Sequence, residues 1–241
     1  MRKIVTVVII VVAGFLASLQ FYQPFWVMRL AQRLLLPRIR FYAETTANAF
    51  ALTFDDGPRP PYTDQVLDSL DRYGAKATFF LIGSRVAQHP ETASRIKARG
   101  HQVANHSYDD QRTVLMETEA LLTSIRQTEI LVGQTCSPKL FRPGSGWITA
   151  NQLAAVEAEG YQVVLGSVYV SDPKRPPPWF MKRALSSMLR PGAIVVLHDG
   201  IKDPTRTLDV LPALLQAARQ RGLRAVTLTD LLKPTLSEPK P

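Results

Sequence analysis

Short apolar stretches alternate with segments of helical periodicity from residue 47 to residue 233. The apolar stretches are rich in β-branched and aromatic residues, which predicts strands. In the segments between them, apolar residues recur every three or four positions and most segments end at a glycine, which predicts amphipathic helices. The predicted strands are residues 49–54, 77–82, 102–105, 140–141, 162–165, 193–197 and 223–228.

Six predicted helices separate these seven strands, at residues 63–73, 91–99, 117–132, 151–159, 179–189 and 208–219. Strands that alternate with helices indicate an α/β fold with a parallel sheet covered on its faces. A closed or distorted barrel and an open doubly wound sheet both fit this order. In either case, the active site is expected beyond the carboxyl ends of the strands.

The chain begins with an apolar segment that has no counterpart later in the sequence. No charged residue lies between Lys3 and Arg29, and residues 4–19 are almost entirely apolar. A helix needs about 20 such residues to cross the hydrocarbon of a bilayer. We favour an uncleaved membrane helix over a cleaved signal peptide and over a buried core helix. Residues 1–46 are thus expected to be an anchor and juxtamembrane segment, residues 47–233 a globular domain, and residues 234–241 a flexible tail.

The distribution of charge supports this division. The sequence has 29 Lys and Arg and 20 Asp and Glu residues, a net charge of +9 that by itself suggests a nucleic-acid partner. Six of the basic residues and no acidic residue lie in residues 1–40, so residues 41–241 carry only +3. These charges flank the predicted membrane helix, where they would meet lipid headgroups. We therefore expect membrane lipid rather than nucleic acid as a partner, and a domain outside the cytoplasm.

Polar residues with catalytic potential follow five of the predicted strands. Two adjacent carboxylates at the end of the first strand, Asp55 and Asp56, are costly unless a cation intervenes. His106 and Asp110 follow the third strand and are four residues apart, a spacing that suits two metal ligands on one tight loop. One histidine and two carboxylates leave coordination positions open, which is typical of a catalytic metal site.

Several motifs resemble those of one known family. Residues 53–58 read TFDDGP, which is similar to the first motif of the polysaccharide deacetylases (the NodB-homology domain, carbohydrate esterase family four). Residues 105–107 (NHS), 142–146 (RPGSG) and 197–199 (LHD) resemble the second, third and fifth motifs. The resemblance spans residues 47–233. It implies a distorted (β/α) barrel of about seven parallel strands.

The resemblance also implies a role for each matching residue. Asp55 is expected to be the general base, held ionised by a bidentate pair with Arg142, and His198 the general acid. Ser145 is expected to stabilise the oxyanion through its backbone N–H, next to Gly146 in the same motif. The expected metal ligands are Asp56, His106 and Asp110, with zinc favoured and cobalt, manganese or iron as alternatives.

Two departures from the family pattern change these expectations. Asp110 stands where the family usually has a second histidine, which indicates an Asp-variant subgroup and makes harder metals more competitive. In the fourth motif, Asp172 is retained as the expected partner of His198, but the usual tryptophan is replaced by Pro173. The acetyl-methyl pocket would then be lined by Trp147 and Val196.

These residues predict a metal-dependent hydrolase that removes N-acetyl or O-acetyl groups from a cell-surface polysaccharide, such as a chitin-like or peptidoglycan polymer. The alternative is a glycan-binding protein of low or no activity on the same fold, which the replacement at Asp110 motivates. The sequence does not define the oligomeric state.

Overall fold

The structure is a computed structural model that describes residues 25–134 and 136–233. The predicted membrane helix within residues 1–24 and the predicted tail at residues 234–241 lie outside these described residues. Among the residues that are described, no helix is long and apolar enough to cross a membrane.

Eight parallel strands form one sheet: β1 Ala49–Gly57, β2 Thr78–Leu81, β3 Gln102–Asn105, β4 Lys139–Phe141, β5 Tyr161–Val163, β6 Val168–Tyr169, β7 Ile194–His198 and β8 Arg224–Val226. Seven of them follow the order β5-β4-β3-β2-β1-β7-β6, and β8 pairs with the first half of β1. The sequence predicted seven strands and missed β6, because a two-residue strand leaves no periodic pattern.

Nine helices are described: α1 Phe25–Leu30, α2 Tyr62–Arg72, α3 Gly83–Gln88, α4 Pro90–Ala98, α5 Thr118–Val132, α6 Ala150–Ala158, α7 Pro178–Met188, α8 Thr205–Gln220 and α9 Leu228–Leu232. A π-helical turn at Ala31–Leu35 continues α1. The short helices α3 and α9 were not predicted from the sequence, because neither is long enough to show a helical repeat.

Both faces of the sheet are buried, and this explains the continuous apolar run of β1. Phe50, Leu52 and Phe54 pack against the surrounding helices. Ala49 and Ala51 alternate with them and face a second core inside the curled sheet. This inner core is built from residues of several strands and includes Phe80, Ala104, Leu140, Val164, Ile194 and Leu228. Small residues on β1 and β3 leave room for the Phe80 ring.

The folded unit begins earlier than the predicted boundary at residue 47. Arg40 pairs with Val164 beside the edge strand β5, and the Ala43 N–H donates to the carbonyl of Gly192 just before β7. Ile39, Phe41, Tyr42 and Ala43 are buried. The Gln32 side-chain oxygen accepts from the N–H groups of Phe41 and Tyr42, at 2.7 and 3.2 Å. Residues 39–43, which were predicted to belong to the anchor and juxtamembrane segment, therefore pack between the end of β5 and the start of β7.

We expect Phe41→Ala to lower the free energy of unfolding by about 3 kcal/mol, because it leaves a cavity in the core. Leu115→Ala is the matched control: Leu115 is 73% exposed, so its truncation should cost less than about 0.5 kcal/mol. Urea unfolding of the full chain in detergent micelles measures both. Equal, small effects of the two substitutions would contradict a structural role for residues 39–43.

Candidate active site

The polar side chains at the carboxyl ends of the strands point to the same face of the sheet as the residues of its inner core. Successive side chains of a strand point to opposite faces, so residues two apart share a face. Inner-core residues are followed in the same row by polar rim residues at three strand ends: Ala104 by His106, Leu140 by Arg142, and Ile194 by Val196 and then His198. On β1 the row runs from Ala51 through Thr53 to Asp55. The strand period thus brings together the rim residues that the sequence predicted.

A bulge at the end of β1 allows two consecutive aspartates to serve one site. Asp55 is opposite Phe80 and Gly57 is opposite Leu81, so Asp56 is an extra residue in this strand. Its φ of +68° lies in the left-handed region, which is strained for a non-glycine residue. In a regular strand Asp55 and Asp56 would point to opposite faces. The bulge directs the Asp56 carboxylate to His106 while Asp55 faces Arg142.

Arg142 and Asp55 form a buried ion pair. Arg142 Nη1 lies 2.6 Å from Asp55 Oδ1 and also donates to Thr53 Oγ1 at 2.8 Å. The other guanidinium nitrogens donate to the carbonyls of Val164 and Leu165, both at 3.1 Å. The pair is therefore made through one nitrogen and is not the bidentate pair predicted, because the remaining donors hold the loop after β5. Asp55 Oδ2 has no hydrogen-bond partner within the described ranges.

His106 and Asp56 form a pair that suits a cation. His106 Nδ1 donates to the carbonyl of Arg142 at 2.8 Å, so its Nε2 is the atom that faces Asp56 Oδ1 at 3.2 Å. Burial would raise the pKa of Asp56, but the hydrogen bond from His106 and nearby positive charges lower it to about 2. Burial lowers the pKa of His106, and the hydrogen bond and charges of Asp56 and Asp55 raise it overall. An imidazole lone pair and a carboxylate that face each other fit a metal ion or a proton between them.

The third predicted ligand, Asp110, does not join this pair. Its side chain is 65% exposed and its Oδ2 lies 3.1 Å from Arg85 Nη2. Within residues 25–134 and 136–233, no three acidic, histidine or cysteine side chains converge closely enough to hold a metal ion. Arg85 was missed in the sequence analysis. The available signal was its position just after β2, at the same rim as the other candidates.

His198 is held by Asp172, as the sequence predicted. Asp172 is fully buried, and its Oδ1 accepts from His198 Nδ1 at 2.9 Å. Its Oδ2 accepts from the His198 backbone N–H and from Thr207 Oγ1, both at 2.8 Å. Burial acts to lower the pKa of His198, but the charge and hydrogen bond of Asp172 outweigh it and raise that pKa. The imidazole is thus kept protonated, with Nε2 as the atom free to transfer a proton.

The predicted substrate-binding residues differ in exposure: three are on the surface and one is buried. Ser145, Gly146 and Trp147 are exposed on the loop after β4, and Trp147 has 67% of its surface accessible. Val196 is buried below His198, where its Cγ2 lies against Gly166. Tyr169, at the end of β6, packs edge-on to His198 with a ring separation of 6.1 Å. An aromatic side chain therefore borders the proposed general acid although the family's tryptophan is missing.

Asp199 is a buried carboxyl group beside the site. Its Oδ2 accepts from Thr63 Oγ1, while Oδ1 has no hydrogen-bond partner among the described residues. Burial raises the pKa of Asp199 to about 7, and the charges of Asp56 and Asp55 add to this effect. Asp199 also fills the space where a side chain at Gly57 would lie.

The rim combines a carboxylate that can accept a proton, an imidazolium that can donate one, and a pair that fits a cation. Metal-assisted hydrolysis of an amide or ester uses groups of these three kinds. A family model described as polysaccharide deacetylase matches residues 42–164. The chain belongs to this polysaccharide deacetylase family.

Individual relatives agree with this assignment. A peptidoglycan-N-acetylglucosamine deacetylase of Bacillus cereus is 35% identical over 192 residues, which cover 76% of this chain and 87% of that relative. A chitooligosaccharide deacetylase of Rhizobium leguminosarum bv. trifolii is 34% identical over 184 residues, 75% of this chain and 81% of its own. A crystal structure of a peptidoglycan N-acetylglucosamine deacetylase matches with a TM-score of 0.76 and 28% identity, covering 80% of this chain and 92% of that one.

These relatives confirm the predicted enzyme class, a hydrolase acting on carbon–nitrogen bonds other than peptide bonds, and the curled parallel α/β fold. They also support polysaccharide deacetylation as the general reaction. The subgroup defined by Asp110 and the role of each site residue stay predictions.

We expect Asp199→Asn to stabilise the protein more at pH 8 than at pH 5. A carboxyl whose folded pKa is raised to about 7 from 3.8 contributes stability that is fully present below pH 3.8 and is lost as the pH rises to about 7. Asparagine stays neutral, so the free energy of unfolding relative to the wild type should rise by on the order of 2 kcal/mol between the two pH values. Urea unfolding at pH 5 and pH 8 measures it.

The control for this prediction is Asp209→Asn, which neutralises an exposed carboxylate on α8. Its effect should differ little between the two pH values. A stability difference for Asp199→Asn that is the same at pH 5 and pH 8 would show that the Asp199 carboxyl titrates normally.

Proposed function

We propose that this chain is a metal-dependent deacetylase that hydrolyses N-acetyl or O-acetyl groups of a cell-surface polysaccharide, a chitin-like or peptidoglycan polymer. The observation that carries the proposal is that one rim of the sheet holds both a group that can accept a proton and a group that can donate one. Asp55 is held by Arg142 with one oxygen free, and His198 is kept protonated by Asp172. The relatives named above, which act on peptidoglycan and chitooligosaccharides, supply the substrate class.

The proposed mechanism assigns one task to each of these residues. Asp55 accepts a proton from the attacking water, and the ion pair with Arg142 holds Asp55 in place. His198 donates a proton from Nε2 to the departing amine or alkoxide, so that water and the acetylated sugar become acetate and the free sugar. Asp172 fixes the imidazole in the required orientation. The Ser145 N–H is proposed to stabilise the oxyanion, and Gly146, Trp147 and Val196 to bind the sugar and its acetyl group.

A divalent cation completes this proposal. Zinc is favoured, with cobalt, manganese and iron as alternatives, and the residues proposed to hold it are Asp56 and His106, joined by Asp110. When bound, the ion would supply Lewis-acid polarisation and a water of lowered pKa.

We expect the wild-type chain to release acetate from chitin oligosaccharides or peptidoglycan, and Asp55→Asn to reduce the rate by about 10²–10⁴-fold, the contribution typical of a general base. Acetate is measured by an enzyme-coupled assay with zinc, cobalt or manganese added. Asp68→Asn, which removes an exposed carboxylate on α2, is the control and should keep wild-type activity.

A second function is favoured by the pairing of Asp110 with Arg85, which leaves two of the three ligands in place. In this alternative, the chain is a glycan-binding protein of low or no activity, and the exposed Trp147 ring contacts sugar. The wild type would then bind chitin oligosaccharides but release no acetate, whichever metal is added. This result would support the alternative and contradict the deacetylase proposal.

We also propose that the chain is attached to a membrane, with the barrel on the extracytoplasmic side. Leu30, Leu34 and Leu36 are exposed beside Arg29 and Arg33, an arrangement that suits the interface of an anionic bilayer. The apolar segment of residues 4–19 precedes this surface in the sequence.

A fluorophore on Leu34→Cys, in a Cys136→Ser chain reconstituted into vesicles, should be quenched by lipids that carry a quencher near the headgroup. The control position is Ile130→Cys, because Ile130 is 83% exposed on α5. Equal quenching at both positions would contradict the membrane contact. A fused reporter that is active only outside the cytoplasm tests the side of the membrane.

A further inference from the structure

Arg85 connects three of the loops that build the rim. It lies on α3, directly after β2, and its guanidinium is mostly buried. Nη1 donates to the carbonyl of Asp56 and, at 2.7 Å, to the carbonyl of Gly200. Nη2 donates to Asp110 Oδ2 at 3.1 Å. One side chain thus contacts the bulge of β1, the loop after β7 and the residue predicted to be the third metal ligand.

The two terminal nitrogens of Arg85 make contacts of very different strength: Nη1 is held by backbone carbonyls, and Nη2 by an exposed carboxylate. A Cβ at Gly200 would lie 1.8 Å from the Asp56 carbonyl oxygen and 2.6 Å from Arg85 Nη1, so these groups are packed with no spare room. The Asp110 carboxylate, by contrast, is mostly exposed, and ion pairs of this kind contribute little to stability. The guanidinium is therefore fixed by the backbone, while Asp110 is free to leave it.

Asp110 has two possible partners, and in the position where it pairs with Arg85 its carboxylate does not converge with Asp56 and His106. In the structure, the Asp110 carboxylate faces the positively charged guanidinium of Arg85. A divalent ion at Asp56 and His106 offers a stronger charge to the same carboxylate. The loop around Asp110 is itself anchored, because the Gly144 N–H donates to Thr113 Oγ1 at 2.8 Å and a Cβ at Gly144 would lie 2.0 Å from the Gln111 carbonyl oxygen.

We propose that Arg85 competes with the metal ion for Asp110, and is thereby a positioning residue that weakens metal binding at this site. The inference rests on the proposed function, because it assumes that Asp56 and His106 hold a divalent cation. In this scheme Asp56 and His106 would hold the ion, and Asp110 would join them only after leaving Arg85. Metal affinity is then set by a residue that does not ligate the metal.

The test measures metal affinity, independently of catalysis. Dissociation constants for zinc and cobalt are determined with the full chain in detergent micelles, by competition with a chromophoric chelator. Arg85→Met and Arg85→Gln should both bind metal about two- to five-fold more tightly than the wild type, the range that corresponds to an exposed ion pair. Asp110→Asn should bind more weakly, because it removes the ligand.

The double variant separates this competition from simple charge repulsion. If Arg85 acts through Asp110, Arg85→Met has no further effect on affinity in the Asp110→Asn chain. If it acts only by its charge, the gain persists there. Arg59→Met is the matched control: Arg59 donates to the carbonyls of Gly200 and Ile201 but does not contact Asp110, so its loss should leave the affinity nearly unchanged.

Unchanged or weaker affinity in both Arg85 variants, with melting temperatures of the metal-free proteins equal to the wild type, would overturn the inference. So would a gain that persists in the double variant. If the wild type binds metal and releases acetate while Arg85 has no influence, only the inference fails. If no variant binds metal, the metal-dependent function fails with it.

Discussion

Arg142 carries a full positive charge at a position where only 3% of its surface meets water. Removing such a charge from water is costly, and its partners must compensate for the lost hydration. They are the carboxylate of Asp55, the hydroxyl of Thr53, two carbonyls of the loop after β5, and the face of the Phe80 ring at 4.0 Å. The carbonyl of Arg142 also receives the His106 Nδ1–H. One residue thus fixes both the proposed base and a proposed metal ligand.

The opposite side of the rim is organised by a buried anion in the same way. Asp172 is fully buried and is compensated by three donors, two from His198 and one from Thr207. A buried cation therefore supports the proposed base, and a buried anion supports the proposed acid. Both supporting residues are buried, so solvent reaches poorly the partners that hold the proposed base and the proposed acid in place.

The sequence was sufficient to predict six of the residues that meet at the rim, but it wrongly added Asp110 and missed Arg85. The strand period predicted the parallel sheet. Together with the motifs, it predicted that six residues lie close together at the carboxyl ends of the strands: Asp55, Asp56, His106, Arg142, Asp172 and His198. Other features depend on contacts between segments distant in sequence. The single-nitrogen contact of Arg142 arises because its other donors bind carbonyls after β5. The association of Asp110 with Arg85 requires knowledge of which loops adjoin. The role of residues 39–43 was missed because the segment has no regular pattern and pairs with strands more than 120 residues later.

The segment before β1 has a mechanical consequence. Gln32 bonds the backbone of residues 41 and 42, Arg33 pairs with Glu44, and residues 39–43 are buried, so the described chain has no slack between α1 and the sheet. A flexible linker would let a domain sweep a wide volume around its point of attachment. Here α1 is tied to the sheet instead, so a restraint on α1 would also restrain the orientation of the barrel.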